Sequence, residues 1–134
     1  MDGGVSAVVV LDTCALLWWA LDPDKLSAPA ADACKLMEQQ GGFVSSISIW
    51  EIGIKLKKGK LELGITLDDF VVRLKQTSVQ IVPIDEAIWV ENLRLRWDHA
   101  DPADRTIVAT AQMRRLPIIT SDGVIRAFYQ SIIW

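Results

Sequence analysis

The chain is short of several things. It has one histidine, two cysteines and no lysine beyond Lys75. The two cysteines, Cys14 and Cys34, each fall in a predicted helix at a spacing that makes no zinc motif, so free buried thiols in a reducing cytosol are expected. Positive charge is in deficit: 14 Lys and Arg stand against 17 Asp and Glu, a net charge of −3. That argues against a protein held to nucleic acid by bulk charge, though not against a site whose acids are neutralised by bound cations. No apolar run approaches the roughly 18–20 residues of a membrane span, so no membrane association is expected. The opening MDGGVSAVVVLD has no basic n-region, so no signal peptide is expected and the location reads as cytoplasmic. Repeats, linkers and low-complexity segments are missing. Residues 1–134 read as one domain, with 1–6 a flexible lead-in.

What is present is apolar. Hydrophobic residues make up 51% of the chain, with six tryptophans and a mean hydropathy of +0.26. This suits a tightly packed core or an apolar patch for a partner or second copy. Leu16, Leu17, Trp18 and Trp19 lie together, more than one helix face can bury. Part of that helix, or the Leu36–Met37 region, is expected to meet a partner.

Short apolar runs alternate with helical patterns. AVVVLD, FVSS, VQIVPI, LPIITSD and SIIW read as strands. Between them lie TCALLWWAL, a helix capped by Ser27 and stopped at Gly41-Gly42, SIWEIGIKLKKGK from Ser48, TLDDFVVRLKQT with Thr66 as cap, DEAIWVENLRLRW, ADRTIVATAQMRR preceded by Pro102, and GVIRAFYQ. Such alternation indicates an α/β chain with a parallel sheet covered on both faces. Ligands then collect beyond the carboxyl ends of the strands, where strand order reverses.

The acids fall at those ends. Asp12 ends the first strand and Asp122 the LPIITSD strand. Glu51 sits in the first turns of the helix after FVSS, and Asp104 at the mouth of the ADRTIVATAQMRR helix. If these junctions share one sheet edge, four carboxylates converge. Alone they would repel and raise one another's pKa; Mg²⁺ or Mn²⁺ would resolve the conflict. Asp12, Asp104 and Asp122 taken singly also read as helix caps. Glu51 has no capping role and otherwise reads as solvated, opposite Ile49, Ile52 and Leu56. Lys55 and Lys58 share its face; with Lys57 and Lys60 they read either as a solvated face with a Glu51–Lys55 pair or as a basic lip for a phosphate backbone. Arg105 is expected to pair with a neighbouring carboxylate or to reach a phosphate. His99 reads as a structural loop histidine. Thr13, Ser46 and Thr120 offer hydroxyls near the same edge. Asp101, just outside the helix that Pro102 begins, reads as a cap or as the edge of the site.

Three segments, VVLDTCALLWW, SSISIWEIGIKLKKGKLEL and HADPADRTIVATAQMRRLPIITSD, resemble the PIN-domain ribonucleases, above all the VapC toxins of bacterial toxin–antitoxin pairs. The likeness runs from about Val8 to Tyr129. The resemblance implies an α/β/α sandwich around a parallel sheet of about five strands. It implies Asp12, Glu51, Asp104 and Asp122 as the carboxylates of an Mg²⁺ or Mn²⁺ site, with Asp12 and Asp104 in direct contact and Glu51 and Asp122 completing the set. It further implies metal-dependent RNA cleavage, restraint by a cognate antitoxin, and homodimers. Lys55 and Lys58 would position the RNA strand, and no histidine or lysine base is required. Alternatives are a flap-type DNA nuclease of the same chemistry, for whose usual long insertions the chain has no room, and a catalytically silent PIN-fold binding module. A phospho-accepting receiver domain places paired acids after its first strand and a lysine after its last; here a single Asp12 follows the first strand and Lys75 is the last lysine.

Overall fold

The computed structural model describes residues 7–134, so the lead-in expected over 1–6 lies outside the described residues. β1 (Val10–Leu11), β2 (Gly42–Ser45), β3 (Val79–Val82), β4 (Ile118–Ile119) and β5 (Ile132–Ile133) form one sheet in the order β3-β2-β1-β4-β5, every pairing parallel. The central strands β1, β2 and β4 are buried between two helical layers, while β3 and β5 at the edges are more open. Alternate side chains therefore serve different layers. Val9 and Leu11 point to one face and Val10 to the other; Val44 and Ile119 join the first set, Phe43 and Ile118 the second.

α1 (Thr13–Leu21), α2 (Ala28–Gln40), α3 (Ser46–Lys57) and α4 (Leu67–Lys75) cover the first face, with Leu16, Met37, Ile52 and Phe70 buried there. α5 (Glu86–Arg94), α6 (Pro102–Arg114) and α7 (Gly123–Phe128) cover the second through Ile88, Ile107, Val108 and Ile125. This is the three-layer α/β/α sandwich expected from the pattern of elements. Among the described residues no helix is long and apolar enough to cross a membrane.

Local chemistry sets the boundaries. Ser27 Oγ accepts from Ala30 N at 3.2 Å and Thr66 Oγ1 from Asp69 N at 3.1 Å, each capping a helix where expected. Gly41, with φ of +102°, stops α2. α3 begins two residues earlier than Ser48, because Ser45 supplies the cap through Ile47 N at 3.2 Å. Leu16, Leu17 and Met37 are buried in the core and available to no partner; on α1 and α2 the exposed large apolar residues are Leu21 and Leu36. Cys34 is buried, whereas Cys14 is only half-buried; neither forms a disulfide.

α5 was expected to reach Trp97 and stops at Arg94. The cause is Arg105, on the first turns of α6. Its guanidinium donates to the carbonyls of Asn92 (2.6 Å), Leu95 (3.2 Å), Trp97 (2.6 Å) and His99 (3.1 Å), and its Nε to Asn92 Oδ1 (3.3 Å). It thus replaces the next helical turn of α5 as the partner of these carbonyls, and it sits at the negative end of that helix. The expectation of a carboxylate or phosphate partner for Arg105 is corrected: its partners are backbone oxygens and one amide.

Candidate active site

Strand order reverses at β1, whose chain runs outward to β2 and β3 before returning to β4 on its other side. The carboxyl ends of β1 and β4 flank that switch point, the place where a parallel sheet leaves a crevice. Asp12 directly follows β1. Its Oδ1 caps α1 by accepting from Ala15 N at 2.7 Å, and its Oδ2 accepts from the Thr120 hydroxyl that follows β4. Thr120 Oγ1 in turn accepts from Asp122 N at 2.9 Å, so one buried hydroxyl ties the two strand ends together. Asp122 Oδ1 caps α7 through Val124 N (2.8 Å) and Ile125 N (3.1 Å).

Glu51 reaches the crevice from α3. The Thr13 hydroxyl donates to its Oε1 and lies 2.8 Å from Ser48 Oγ. Thr13 has one hydroxyl proton and gives it to the carboxylate, so Ser48 is the donor to Thr13. Ser48, not among the expected site residues, lies one turn before Glu51 on the same face of α3, a spacing visible in the sequence.

Asp104 lies inside α6 and caps nothing. The cap is Asp101, whose Oδ1 accepts from Ala103 N (2.8 Å) and Asp104 N (3.1 Å). Asp104 Oδ2 instead meets His99 Nε2 at 2.7 Å. His99 is therefore more than the structural loop residue expected, and donor atoms of His99, Asp101 and Asp104 all lie within 4.8 Å of one another.

The carboxylates feel each other. Burial, above all, pushes Asp12 up to about 6 from an ordinary 3.8; hydrogen bonds from Thr120 and Ala15 resist, and the charges of Asp122 and Asp104 add to the rise. Glu51 is raised by burial, with Thr13 and Lys55 opposing and Asp101 and Asp104 adding. Asp104 is raised by burial, against the His99 hydrogen bond, with Asp101 and Asp122 adding. Asp12, Glu51, Asp104 and Asp122 thus feel charge across one edge of the sheet, while among the described residues the group whose donor atoms all lie within 4.8 Å is His99, Asp101 and Asp104, without Asp12, Glu51 or Asp122. Oxygen donors with one imidazole suit Mg²⁺ or Mn²⁺. Cys14 offers no competing thiolate, because burial and the Asp12 charge push its thiol up.

Lys55 and Lys58 border Glu51 in a shared hollow. Among the described residues the ion pairs are Asp22–Lys25 and Asp104–His99, so the expected Glu51–Lys55 pair is not closed. Ser46 opens α3 and lines the neighbouring α3–α4 groove; no contact brings it to the acids.

The raised Asp12 has a consequence for the metal-free protein. Its proton is held more tightly in the folded state than in the unfolded one, so its stabilising contribution is complete below 3.8 and is lost as pH rises through about 6. Asp12→Asn, which keeps the cap, is expected to remove this trend and to be more stable than wild type above pH 6 by on the order of 2 kcal/mol. Urea unfolding of both proteins across that range, in chelator, checks it.

The chain matches the family described as the PIN domain over residues 9–130. It is 28% identical over 120 residues to Ribonuclease VapC22 of Mycobacterium tuberculosis (strain ATCC 25618 / H37Rv), covering 89% of this chain and 90% of that protein. Solved structures share the fold. A toxin–antitoxin complex from Klebsiella pneumoniae has a TM-score of 0.64 at 21% identity, covering 94% of this chain and 96% of that one. VapBC2 from Rickettsia felis, bound to a DNA fragment from their promoter, gives 0.65 at 12% identity and the same coverage.

Proposed function

The chain belongs to the PIN domain family, and from that premise we propose that it is a cytoplasmic Mg²⁺- or Mn²⁺-dependent endoribonuclease, the toxin of a toxin–antitoxin pair. The observation that carries the reading is the approach of Asp12, Glu51, Asp104 and Asp122 at the switch point, each of the first three raised by burial and by neighbouring carboxylates. A bound cation would offset the burial and mutual repulsion that raise Asp12, Glu51 and Asp104. The likeness to Ribonuclease VapC22 supports RNA as the substrate.

When bound, Mg²⁺ or Mn²⁺ supplies charge neutralisation at the phosphate and a water acidic enough to act as nucleophile at neutral pH. The protein's part is positional. Asp12, fixed through Ala15 and Thr120, and Asp104, fixed through His99, would hold the cation. Glu51, steadied by the Ser48–Thr13 relay, would orient a water, and Asp122 would add a further oxygen ligand. Lys55 and Lys58 place the phosphate backbone without selecting sequence.

The partners follow from exposed apolar surface. An antitoxin segment occupies the groove of about 350 Å³ between α1, α2 and α4, beside Trp19, Leu21 and Phe70. A second copy covers the outer face of α5, where Trp89, Val90 and Leu93 are exposed. The test is cleavage of matched RNA and DNA strands by the purified chain, free of antitoxin, with Mg²⁺, Mn²⁺ or chelator. RNA cut only with a divalent ion is expected. Preference for DNA points to the flap-type alternative, and inertness on both to a silent binding module.

A further inference from the structure

Beside Glu51 the surface holds a hollow of about 240 Å³ lined by Trp50, Glu51, Ile54, Lys55, Lys58 and Lys60. Its composition is unusual for this protein, which carries a net charge of −3 yet places three lysines around one opening. The lysines converge for a backbone reason. α3 ends in a turn in which Gly59 N donates to Leu56 O and Lys60 N to Lys55 O, with Gly59 at φ +68°. That turn needs a residue free to adopt left-handed backbone, and it folds Lys60 back beside Lys55 and Lys58. No carboxylate lies within 4 Å of any of the three ammonium groups among the described residues.

Trp50 is the second half of the hollow. It is 60% exposed, the most open tryptophan among the exposed apolar residues and adjacent to a site acid in sequence. An indole left in water beside three free cations has the two elements that a nucleotide needs: a flat face for a base and donors for the phosphates on either side of it. Lys55 and Glu51 lie one turn apart on α3, so the hollow is continuous with the carboxylate edge.

Resting on the nuclease reading above, we infer that this hollow is the subsite for the nucleotide flanking the scissile phosphate. An unstacked base lies on Trp50, and Lys55, Lys58 and Lys60 take the adjoining phosphates. A base can reach the indole only when it is out of a helical stack, so the subsite requires a substrate that is single-stranded at this position.

The test is binding of a short single-stranded RNA carrying 2-aminopurine, to the full chain with Asp104→Asn so that it stays uncut. Adding Trp50→Ala is expected to weaken binding roughly 5- to 100-fold and to abolish the stacking-induced quench of 2-aminopurine, while Trp50→Phe retains most of both. Lys58→Ala with Lys60→Ala is expected to lower the slope of log affinity against log salt by about 0.7 per lysine, a slope that Trp50→Ala leaves alone. Duplex RNA of the same sequence should be insensitive to Trp50→Ala. The inference is overturned if the parent binds RNA and Trp50→Ala binds it equally well. It is equally overturned if the substitution changes only the oligomeric state on gel filtration, which assigns Trp50 to a contact between copies. If the parent itself ignores RNA, the ribonuclease reading falls and this subsite with it.

Discussion

Asp104→Asn is expected to lower divalent-dependent RNA cleavage by at least about 10²-fold and to leave Tm nearly unchanged. The two readouts separate because two neighbouring acids divide the work. Asp101 satisfies the N–H groups of Ala103 and Asp104, so the opening of α6 does not depend on the Asp104 side chain. Asparagine at 104 keeps the shape and still meets His99, but brings no charge to a cation. It loses the favourable placement of an anion near a helix N-terminus, worth a few tenths of a kcal/mol to about 1. It gains relief from Asp101 and Asp122, whose charges push Asp104 up. Asp101→Ala should behave in the opposite manner, costing about 1 kcal/mol through the lost cap. Full cleavage by Asp104→Asn would place the chemistry elsewhere.

The second large effect is structural. Arg105→Ala is expected to destabilise the chain by about 3–5 kcal/mol, because it removes the guanidinium donors from the carbonyls of Asn92, Leu95, Trp97 and His99 at once. Arg105→Lys should recover little. One ammonium has three protons and no fork, whereas the guanidinium spans Asn92, Leu95, Trp97 and His99 at once. The segment it holds carries Trp97, stacked on Phe128 with ring centroids 4.4 Å apart, and His99, the partner of Asp104. Cleavage should therefore fall with Arg105→Lys even at temperatures where the variant is folded. Denaturant unfolding and RNA cleavage on the same samples check both statements; a lysine variant with wild-type Tm would assign the loop's stability to its aromatic stack instead.

The order of elements was legible because each strand is a short, mostly apolar run, and three helices announce their starts, α2 with Ser27, α4 with Thr66 and α6 with Pro102. The gathering of Asp12, Glu51, Asp104 and Asp122 was legible because parallel sheets put strand ends on one edge. What stayed hidden shares one property: the partner is not a side chain with a sequence signature. Arg105 binds backbone oxygens, so nothing in the residues marked where α5 stops. The Ser48–Thr13–Glu51 relay joins hydroxyls 35 residues apart. His99 reaches Asp104 only because the loop between them is folded back by Arg105.

Asp12 and Thr120, which meet across the switch point, are 108 residues apart. β1 is therefore a central strand that lacks one neighbour until β4 has been made and has docked beside it. A chain emerging from the ribosome can pair β1 with β2 and β3, but it cannot close the carboxylate edge before Thr120 and Asp122 arrive. Completion of the site thus depends on a contact of long sequence separation, the kind that forms late when loop closure limits folding. A chain that ends before Thr120 therefore has Asp12 without the hydroxyl that ties it to the second strand end.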